Sequence, residues 1–162
     1  MIVSGMRIRA ALLTDSKDIS ELISGLSAKF ITGEFSSSGK AHLLSTMTPQ
    51  AVTKFIQSGY RYHVAEMDGC LVGVVAVKDN KHLYHLFVAE EYQRQGIAKK
   101  LWQLAMEECL NNENTCEFTV NSSEYAQDVY KRLGFVARPG PRIKNGVIFF
   151  PMSLQVGQKG RQ

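Results

Sequence analysis

The chain lacks the features that identify disulfide-rich, membrane and exported proteins. It has only three cysteines in 162 residues, an odd number that excludes a fully paired disulfide framework. Cys70, Cys109 and Cys116 are therefore expected to be reduced thiols of a cytoplasmic protein. No apolar run approaches the roughly 20 residues of a membrane-spanning helix, and residues 1–5 lack the basic-then-apolar order of a signal peptide. The sequence thus predicts no membrane partner.

The sequence also lacks the charge patterns and glycine-rich motifs that are typical of proteins that bind nucleic acids or nucleotides. The formal net charge is +4, and the lysines and arginines form no stripe interleaved with aromatic residues, which argues against a nucleic-acid partner. Neither the Gly-x-Gly-x-x-Gly fingerprint of dinucleotide-binding proteins nor a Gly-Lys-Ser/Thr phosphate-binding loop occurs. A mild basic excess instead suits a small polyanionic ligand.

What is present is a mixture of strand and helix patterns, which we assign to one domain over residues 6–154. The turn sequences Asp68-Gly69 and Asp79-Asn80 separate three apolar runs and favour an antiparallel meander. Asn145-Gly146 indicates a further hairpin near the end of the chain. The strands are predicted at residues 7–12, 62–67, 71–77, 82–88, 116–120, 135–143 and 147–154.

Helices are predicted where apolar residues recur at helical spacing after a capping residue. Residues 33–40 are rich in glycine and serine and are interpreted as a loop, and residues 155–162 as a disordered tail. Four helices are predicted in this way. The first begins at Asp15 or Ser16, the second extends from Thr48-Pro49 to Gly59, the third covers residues 95–110, and the fourth extends from Ser122 or Ser123 to Gly134.

The most informative segment joins the third strand of the meander to the long helix through a loop that contains Gly96. The first amides of a helix have no partners within it, and the helix dipole favours an anion at that end. Gly96 has no side chain, so a phosphate can approach the main chain closely. Arg94, Lys99 and Lys100 add positive charge beside it. These residues predict a site for a diphosphate.

This loop and a second segment carry a family resemblance that covers residues 6–154. Gln93-Arg94-Gln95-Gly96-Ile97-Ala98 resembles the Gln/Arg-x-x-Gly-x-Gly/Ala acetyl-CoA loop of the GNAT (GCN5-related N-acetyltransferase) superfamily. Ala98 stands where many members have a second glycine. The second half of the signature looks like Val120-Asn121-Ser122-Ser123, Tyr125-Ala126 and Val129-Tyr130-Lys131-Arg132-Leu133-Gly134-Phe135.

The resemblance implies an α+β GNAT fold, a mostly antiparallel, partly split sheet flanked by helices on both faces. It implies acetyl-CoA as cosubstrate. Main-chain groups of Leu86 and Val88 would pair with the pantetheine arm, and Asn121 would touch that arm or the acetyl end. The amides from Arg94 to Lys99 would wrap the diphosphate. The implied cofactor-binding residues are Leu86, Phe87, Val88, Gln93, Arg94, Gln95, Gly96, Ile97, Ala98, Lys99, Asn121 and Tyr130.

Three residues are candidates for proton transfer. The resemblance implies Tyr130 as general acid to the departing CoA thiolate, with core packing as its alternative role. In the histone-acetylating branch of the family a glutamate base matches the position of His82, and an imidazole there could take a proton near neutral pH. Tyr84, through a water, is the other candidate base. Alternation places His82, Tyr84, Leu86 and Val88 on one side of the strand and Leu83, His85 and Phe87 on the other.

No metal site is expected, because His82 and His85 would then point apart and no cysteine or carboxylate cluster completes a ligand set. The predicted function is direct transfer of acetyl from acetyl-CoA to a primary amine of a small molecule or peptide. Cys116 is a poor candidate for a covalent intermediate, since nothing near it in sequence supplies an activating base. The amide of Val88 is expected to polarise the thioester carbonyl.

Several alternatives stay open on the sequence alone. The chain could be a non-catalytic acyl-CoA-binding sensor or interaction module, or it could acetylate protein N-termini or lysines. Glu34, Glu66 and residues 33–40 either shape the acceptor pocket or form ordinary polar surface. A homodimer through edge strands is equally open.

Overall fold

A computed structural model describes residues 5–114 and 116–157 as one mixed sheet with helices on both faces. In these residues the strands are β1 (Met6–Ala10), β2 (Arg61–Met67), β3 (Cys70–Lys78), β4 (His82–Val88), β5 (Glu117–Ser122), β6 (Val136–Ala137), β7 (Arg142–Lys144) and β8 (Val147–Gln155). The helices are α1 (Ser16–Phe30), α2 (Ser37–Ser45), α3 (Pro49–Gln57), α4 (Ile97–Asn111) and α5 (Gln127–Arg132).

The strand order is β1-β2-β3-β4-β5-β8-β6, and β7 also pairs with β8. Every described pair is antiparallel except β4 with β5, as expected of a sheet built from a meander and a returning hairpin. The predicted strand at 135–143 is interrupted and survives only as β6 and β7. β8 includes Gln155, the first residue of the predicted tail, whereas residues 158–162 lie outside the described residues.

The predicted turns are confirmed by their backbone conformation. Asp68 and Gly69 have φ of 52° and 80°, and Asn145 and Gly146 have φ of 54° and 77°. Two consecutive left-handed residues give the tight hairpin turn whose twist matches that of the flanking strands. The same conformation at Asp79-Asn80 brings β4 back beside β3.

Two hydrophobic cores lie on opposite faces of the sheet. The first is covered by α4 and α5, which contribute the fully buried Leu101 and the nearly buried Tyr130. The second is covered by α1 and α3, through Ile19 and Val52, with α2 packed at its border. Trp102 on α4 is 2% exposed and belongs to the first core.

The prediction of a loop at residues 33–40 is wrong. Residues 32–34 form a short 3-10 helix, and α2 begins at Ser37 with Ser36 as its cap, the Ser36 hydroxyl accepting a hydrogen bond from the Gly39 amide at 3.0 Å. The Asp15 side chain does not cap α1 either. Its carboxylate instead accepts the Leu12 amide at 2.7 Å and pairs with Arg9.

A bulge in β4 overturns the predicted alternation along this strand. His85 lies opposite Ala76 and Leu83 opposite Val77, so Tyr84 is an extra residue in the ladder. As a result Leu86 and Val88 pack in the first core with Leu83. Tyr84 and Phe87 pack in the second core, and the register puts His82 and His85 on that same side.

Candidate functional site

A long cleft opens where β4 and β5 separate. The two parallel strands pair only at His82 with Thr119 and at Leu83 with Val120. Beyond these pairs the cleft has a volume of about 1030 Å³ and runs from the start of α4 to α1, α2 and the β7–β8 hairpin. The split in the sheet that the family resemblance implied is therefore present between these two strands.

One wall of the cleft is the free edge of β4. Gly73 and Val88 lie opposite each other, and the Ala89 amide donates to the Val72 carbonyl at 2.8 Å, which makes this a non-hydrogen-bonded pair. Leu86 holds the equivalent position two residues earlier. Leu86 and Val88 therefore direct their amide and carbonyl groups away from β3, to the side where β4 has lost β5.

The anion-binding end of the cleft is the first turn of α4. Gly96 caps this helix with φ of 83°, and a Cβ added there would meet no atom within 4 Å. In the described chain no amide of residues 94–99 donates to a protein acceptor, and Lys100 is the first to bond back, to the Gly96 carbonyl at 3.1 Å. A row of free amides at an open helix start is a site for phosphate.

Of the three basic residues predicted beside this end, two line the cleft, and a third basic residue that was not predicted lines it as well. Arg94, whose φ is 64°, and Lys99 line the cleft. Lys100 does not line it, but Arg132 on α5 does. Arg132 lies within the second segment of the resemblance, two residues after Tyr130, and was not predicted as a ligand contact.

The two glutamines of the loop behave differently. The Gln93 side chain donates from Nε2 to the Val88 carbonyl at 2.9 Å, which occupies that carbonyl and leaves the Val88 amide free. Gln95 does not line the cleft, and its amide nitrogen bonds back to the Glu91 carbonyl at 3.4 Å. Every other residue of the predicted cofactor set lines the cleft, Asn121 and Tyr130 included.

Tyr130 lies on α5 and reaches the cleft from the first core. It is 7% exposed, its ring packs edge-on against Phe135, and its hydroxyl has no partner among the described residues. Burial raises the pKa of Tyr130 above its ordinary value, so the phenol keeps its proton at neutral pH. It can therefore act as a donor to a group in the cleft.

The candidate bases His82 and Tyr84 both line the cleft, on the side of the second core. The His82 Nδ1 lies 2.8 Å from the Thr119 hydroxyl. Burial, and then the charge of Lys78, lower the pKa of His82, against a smaller opposing effect of Asp79. Its imidazole is therefore neutral at pH 7 and able to accept a proton.

Burial shifts the pKa of Tyr84 upwards rather than downwards, because a phenol is charged in its deprotonated form. Burial, and then the neighbouring Tyr60, raise the pKa of Tyr84, so at neutral pH it remains a phenol that can position a water. His85 beside it is 4% exposed at the wall of the cleft, and burial lowers its pKa to about 3. Nδ1 of the neutral His85 ring lies 3.1 Å from the Tyr62 hydroxyl. This contact links β4 to β2, so His85 has a structural role.

The far end of the cleft contains residues that were not predicted. Lys78 ends β3, His42 lies on α2, and Lys144 and Asn145 belong to the β7–β8 hairpin. Asn145 Nδ2 lies 3.4 Å from His42 Nε2, so the hairpin and α2 meet over the cleft. The serine cap at Ser36 was the available signal for α2, and the loop interpretation of this segment obscured it.

The predicted acidic acceptor residues lie elsewhere. Glu66 pairs with Arg9 and does not line the cleft. Glu34 lines an adjoining cavity of about 300 Å³ that shares wall residues such as Phe35 with the cleft, but Glu34 does not line the cleft itself. Within residues 5–114 and 116–157, histidines, cysteines and carboxylates gather in no group of three that could hold a metal. No helix in those same ranges has the length and apolarity to cross a bilayer.

A helix start with free amides, a free strand edge and side chains that can donate or accept a proton lie along one cleft, an arrangement suited to a long phosphorylated ligand and a second reactant. Comparison with known families agrees: residues 31–156 match the acetyltransferase (GNAT) domain, and the chain belongs to this family of acetyltransferases. No curated protein sequence matches the chain.

Solved structures show the same fold at low sequence identity. A GCN5-related N-acetyltransferase from Rhodopseudomonas palustris has 20% identity and a TM-score of 0.77, over 96% of this chain and 99% of that one. PaiA N-acetyltransferase from Thermoplasma acidophilum, in complex with coenzyme A, has 17% identity and a TM-score of 0.74, over 93% and 98%. YncA from Salmonella typhimurium, with its cofactor acetyl-CoA, has 18% identity and a TM-score of 0.64, over 97% of each chain.

Proposed function

We propose that the protein transfers the acetyl group of acetyl-CoA directly to a primary amine of a small molecule or peptide. The observation that carries this proposal is that one continuous cleft connects the free amides at the start of α4 with the candidate proton-transfer side chains. The cleft runs from Gly96 past Val88 to Tyr130, His82 and Tyr84. The coenzyme A and acetyl-CoA present in two structures of the same fold support it.

The residues present fit this cosubstrate along its length. The amides of residues 94–99, with the side chains of Arg94 and Lys99, hold the diphosphate. The free edge of β4 at Leu86 and Val88 receives the pantetheine arm and its thioester as an added strand, with Asn121 on the facing wall; at Val88 the amide alone is available, because Gln93 occupies the carbonyl. Acetyl-CoA supplies an activated thioester, whose carbonyl carbon the amine attacks and whose sulfur leaves as a thiolate.

The Val88 amide provides the electrostatic part of catalysis. Because Gln93 occupies only the carbonyl of this residue, the N–H is free to donate to the carbonyl oxygen as negative charge develops there. One donor of this kind typically contributes about 3 kcal/mol to the transition state. Holding both reactants in line in the cleft lowers the barrier further.

His82, or a water held by Tyr84, removes a proton from the amine. A free alkyl amine is mostly protonated at neutral pH, and only its neutral form attacks a carbonyl. The lowered pKa of His82 keeps its imidazole available for this step. The raised pKa of Tyr84 makes the phenol itself a poor base, so Tyr84 acts by orienting water.

Tyr130 donates its phenolic proton to the departing thiolate. Transfer from a phenol to a thiolate is uphill in water, because the pKa of a thiol is the lower of the two. Burial raises the pKa of both partners, that of Tyr130 as well as that of a buried thiol such as Cys109, which is about 11 in the same core, so it does not remove this difference. The general-acid role is instead supported by position, because the protonated hydroxyl lines the cleft and is free to donate to the sulfur as charge develops there.

The test is an incubation of the protein with acetyl-CoA and a panel of amines, followed by measurement of free thiol. Amine-dependent thiol release supports the proposal, whereas tight binding of acetyl-CoA without release with any amine identifies a non-catalytic sensor. Release with peptides alone identifies a protein acetyltransferase.

A variant pair tests the cofactor site itself. Gly96→Glu places a carboxylate and its bulk among the free amides, and we expect calorimetry to detect no binding of acetyl-CoA. Gly69→Glu is the matched control, because Gly69 has φ of 80° and equally open surroundings but lies in the β2–β3 turn. Normal binding by Gly96→Glu would show that the site is assigned wrongly.

A further inference from the structure

We infer that the acceptor amine carries an anionic group, for which a carboxylate is the simplest case, next to an apolar moiety. The inference rests on the proposed function and concerns the half of the cleft beyond Tyr84. It follows from the charges and the walls of that half.

The charged groups at the acceptor end are basic. These are the ammonium groups of Lys78 and Lys144; the imidazoles of His42 and His82 also line this end, and that of His82 is neutral at pH 7. Among the described residues that line the whole cleft, Asp128 is the single carboxylate, and it lies on α5, the helix of Tyr130 and the cofactor half.

The nearby carboxylates lie outside this space. Glu34 and Glu124 line an adjoining cavity of about 300 Å³ that shares Phe30, Phe35 and Tyr125 with the cleft, but neither carboxylate lines the cleft itself. Asp79 follows Lys78 at the β3–β4 turn, and its effect on His82 is smaller than that of Lys78. The acceptor end therefore has a surplus of positive charge.

This surplus selects against one class of amine and in favour of another. A polyamine would bring further ammonium groups against Lys78 and Lys144 with no carboxylate to pair them, whereas a single anion on the acceptor would pair with either lysine. Nearby positive charge also favours the neutral form of a bound amine, as Lys78 does for His82. The neutral form is the one that attacks.

The walls of the same half are apolar. Phe35 comes from the segment before α2, Leu43 from α2 and Phe149 from β8, and all three line the cleft. Tyr84 forms part of the floor, and its ring is held edge-on by Phe55 and Tyr60, each at 5.2 Å between centroids. An acceptor with an aromatic or branched aliphatic group fills this space by excluding water from it.

The test compares amines that differ by one group. L-Phenylalanine and phenethylamine differ only by the carboxylate, and spermidine represents a polycation. With rates expressed per neutral amine, we expect kcat/KM for phenylalanine to exceed that for phenethylamine at least tenfold, with spermidine the poorest of the three. Equal rates for the first pair, or a preference for spermidine, would overturn the inference.

Variants of the two lysines test whether they bind the carboxylate of the acceptor. Lys78→Gln and Lys144→Gln should each reduce the preference for phenylalanine, and the double variant should abolish it. Lys40→Gln removes the same charge from an exposed lysine of α2 that does not line the cleft, and it should keep the full preference. A preference that survives the double variant would show that these lysines do not bind the carboxylate.

A binding measurement separates this inference from the proposed function. Calorimetry of the CoA-loaded protein with N-acetylphenylalanine and N-acetylphenethylamine requires no turnover. Tighter binding of the former supports the inference even if no amine releases thiol, a result that would contradict only the proposed reaction. Equal binding of the two would contradict the inference even in an active enzyme.

Discussion

Tyr130 has a ring that packs in the first core and a hydroxyl that lines the cleft without a protein partner. Tyr130→Phe removes the hydroxyl and leaves the contact with Phe135 in place. We expect kcat to fall about 10²- to 10⁴-fold, the range of a general acid, while the Kd for acetyl-CoA stays within a factor of about two. Steady-state thiol release and calorimetry measure the two quantities.

The reciprocal result is equally informative. If Tyr130→Phe retains full turnover, the residue only packs, and water protonates the thiolate. A loss of acetyl-CoA affinity in proportion to kcat would instead indicate that the hydroxyl holds the cosubstrate in the ground state. Thermal unfolding of the variant close to that of the parent would show that the comparison is between folded proteins.

His82 gives the reaction a defined dependence on pH. The pKa of His82 in the folded protein is lowered from 6.5, so its imidazole becomes protonated, and unable to act as a base, only below pH 6.5. The fall of kcat towards acid pH should therefore lie below pH 6.5. We expect His82→Gln to lower kcat about 10²- to 10⁴-fold at pH 7.5 and to remove this fall. The measurement is kcat at saturating amine from pH 5 to 8.

Tyr84→Phe is the companion variant for that experiment. It removes the hydroxyl that would hold a water but keeps the ring packed against Phe55 and Tyr60. A small effect of His82→Gln together with a large effect of Tyr84→Phe would assign base catalysis to the water. The shape of the pH profile distinguishes the two, because the raised pKa of Tyr84 gives it no titration between pH 5 and 8.

At the scale of elements, the bulge in β4 is what makes one strand serve two roles. Without the extra Tyr84, strict alternation would put Leu86 and Val88 on the same side as His82. The bulge instead anchors Leu86 and Val88 in the first core and leaves Tyr84 on the side of the acceptor. Under the proposed function the edge of this strand is therefore left for the cofactor, while the side chain of Tyr84 faces the acceptor.

Helix α2 and the β7–β8 hairpin meet through their backbones at Gly39 and Gly146. A Cβ on Gly146 would lie 2.8 Å from the Gly39 Cα, so neither position has room for a side chain. Gly39→Ala should separate the two elements, reduce the free energy of unfolding by roughly 1–3 kcal/mol, and raise the KM for the amine more than that for acetyl-CoA. Chemical denaturation and steady-state kinetics test both effects.

Gly25→Ala is the control for that substitution. Gly25 is also helical and does not have a positive φ, but an added Cβ would meet nothing within 4 Å. Alanine there should leave both KM values unchanged and stabilise the protein by roughly 0.5–1 kcal/mol. If Gly39→Ala behaves like Gly25→Ala, the contact between α2 and the hairpin does not shape the acceptor site.

Local patterns predicted most of the elements, while features that depend on pairing between elements escaped them. The turns at Asp68-Gly69 and Asn145-Gly146 and the helix start at Gly96 follow from single-residue conformations, and all are present. The bulge at Tyr84 depends on how β3 and β4 pair, and no local pattern indicates it. Likewise, Lys78 joins the acceptor end only because the ladder brings β3 beside the cleft.

At the scale of the whole molecule, the three thiols are separated from the cleft. Cys70 is exposed beside the β2–β3 turn, Cys109 is fully buried in α4, and Cys116 is 9% exposed just before β5. None of them lines the cleft. A covalent acetyl-cysteine would require a thiolate within reach of the thioester, and this arrangement does not supply one.

The fold therefore predicts direct transfer in a ternary complex. Because the proposed function places both reactants in one continuous cleft, double-reciprocal plots with varied acetyl-CoA and amine should intersect rather than run parallel. Mass spectrometry after incubation with acetyl-CoA alone should show no acetylated cysteine. The triple variant Cys70→Ser, Cys109→Ala, Cys116→Ala should keep its kcat if it remains folded by circular dichroism. Parallel plots together with an acetyl-cysteine would show that the acetyl group rests on the protein between two half-reactions, which a shared cleft makes unnecessary.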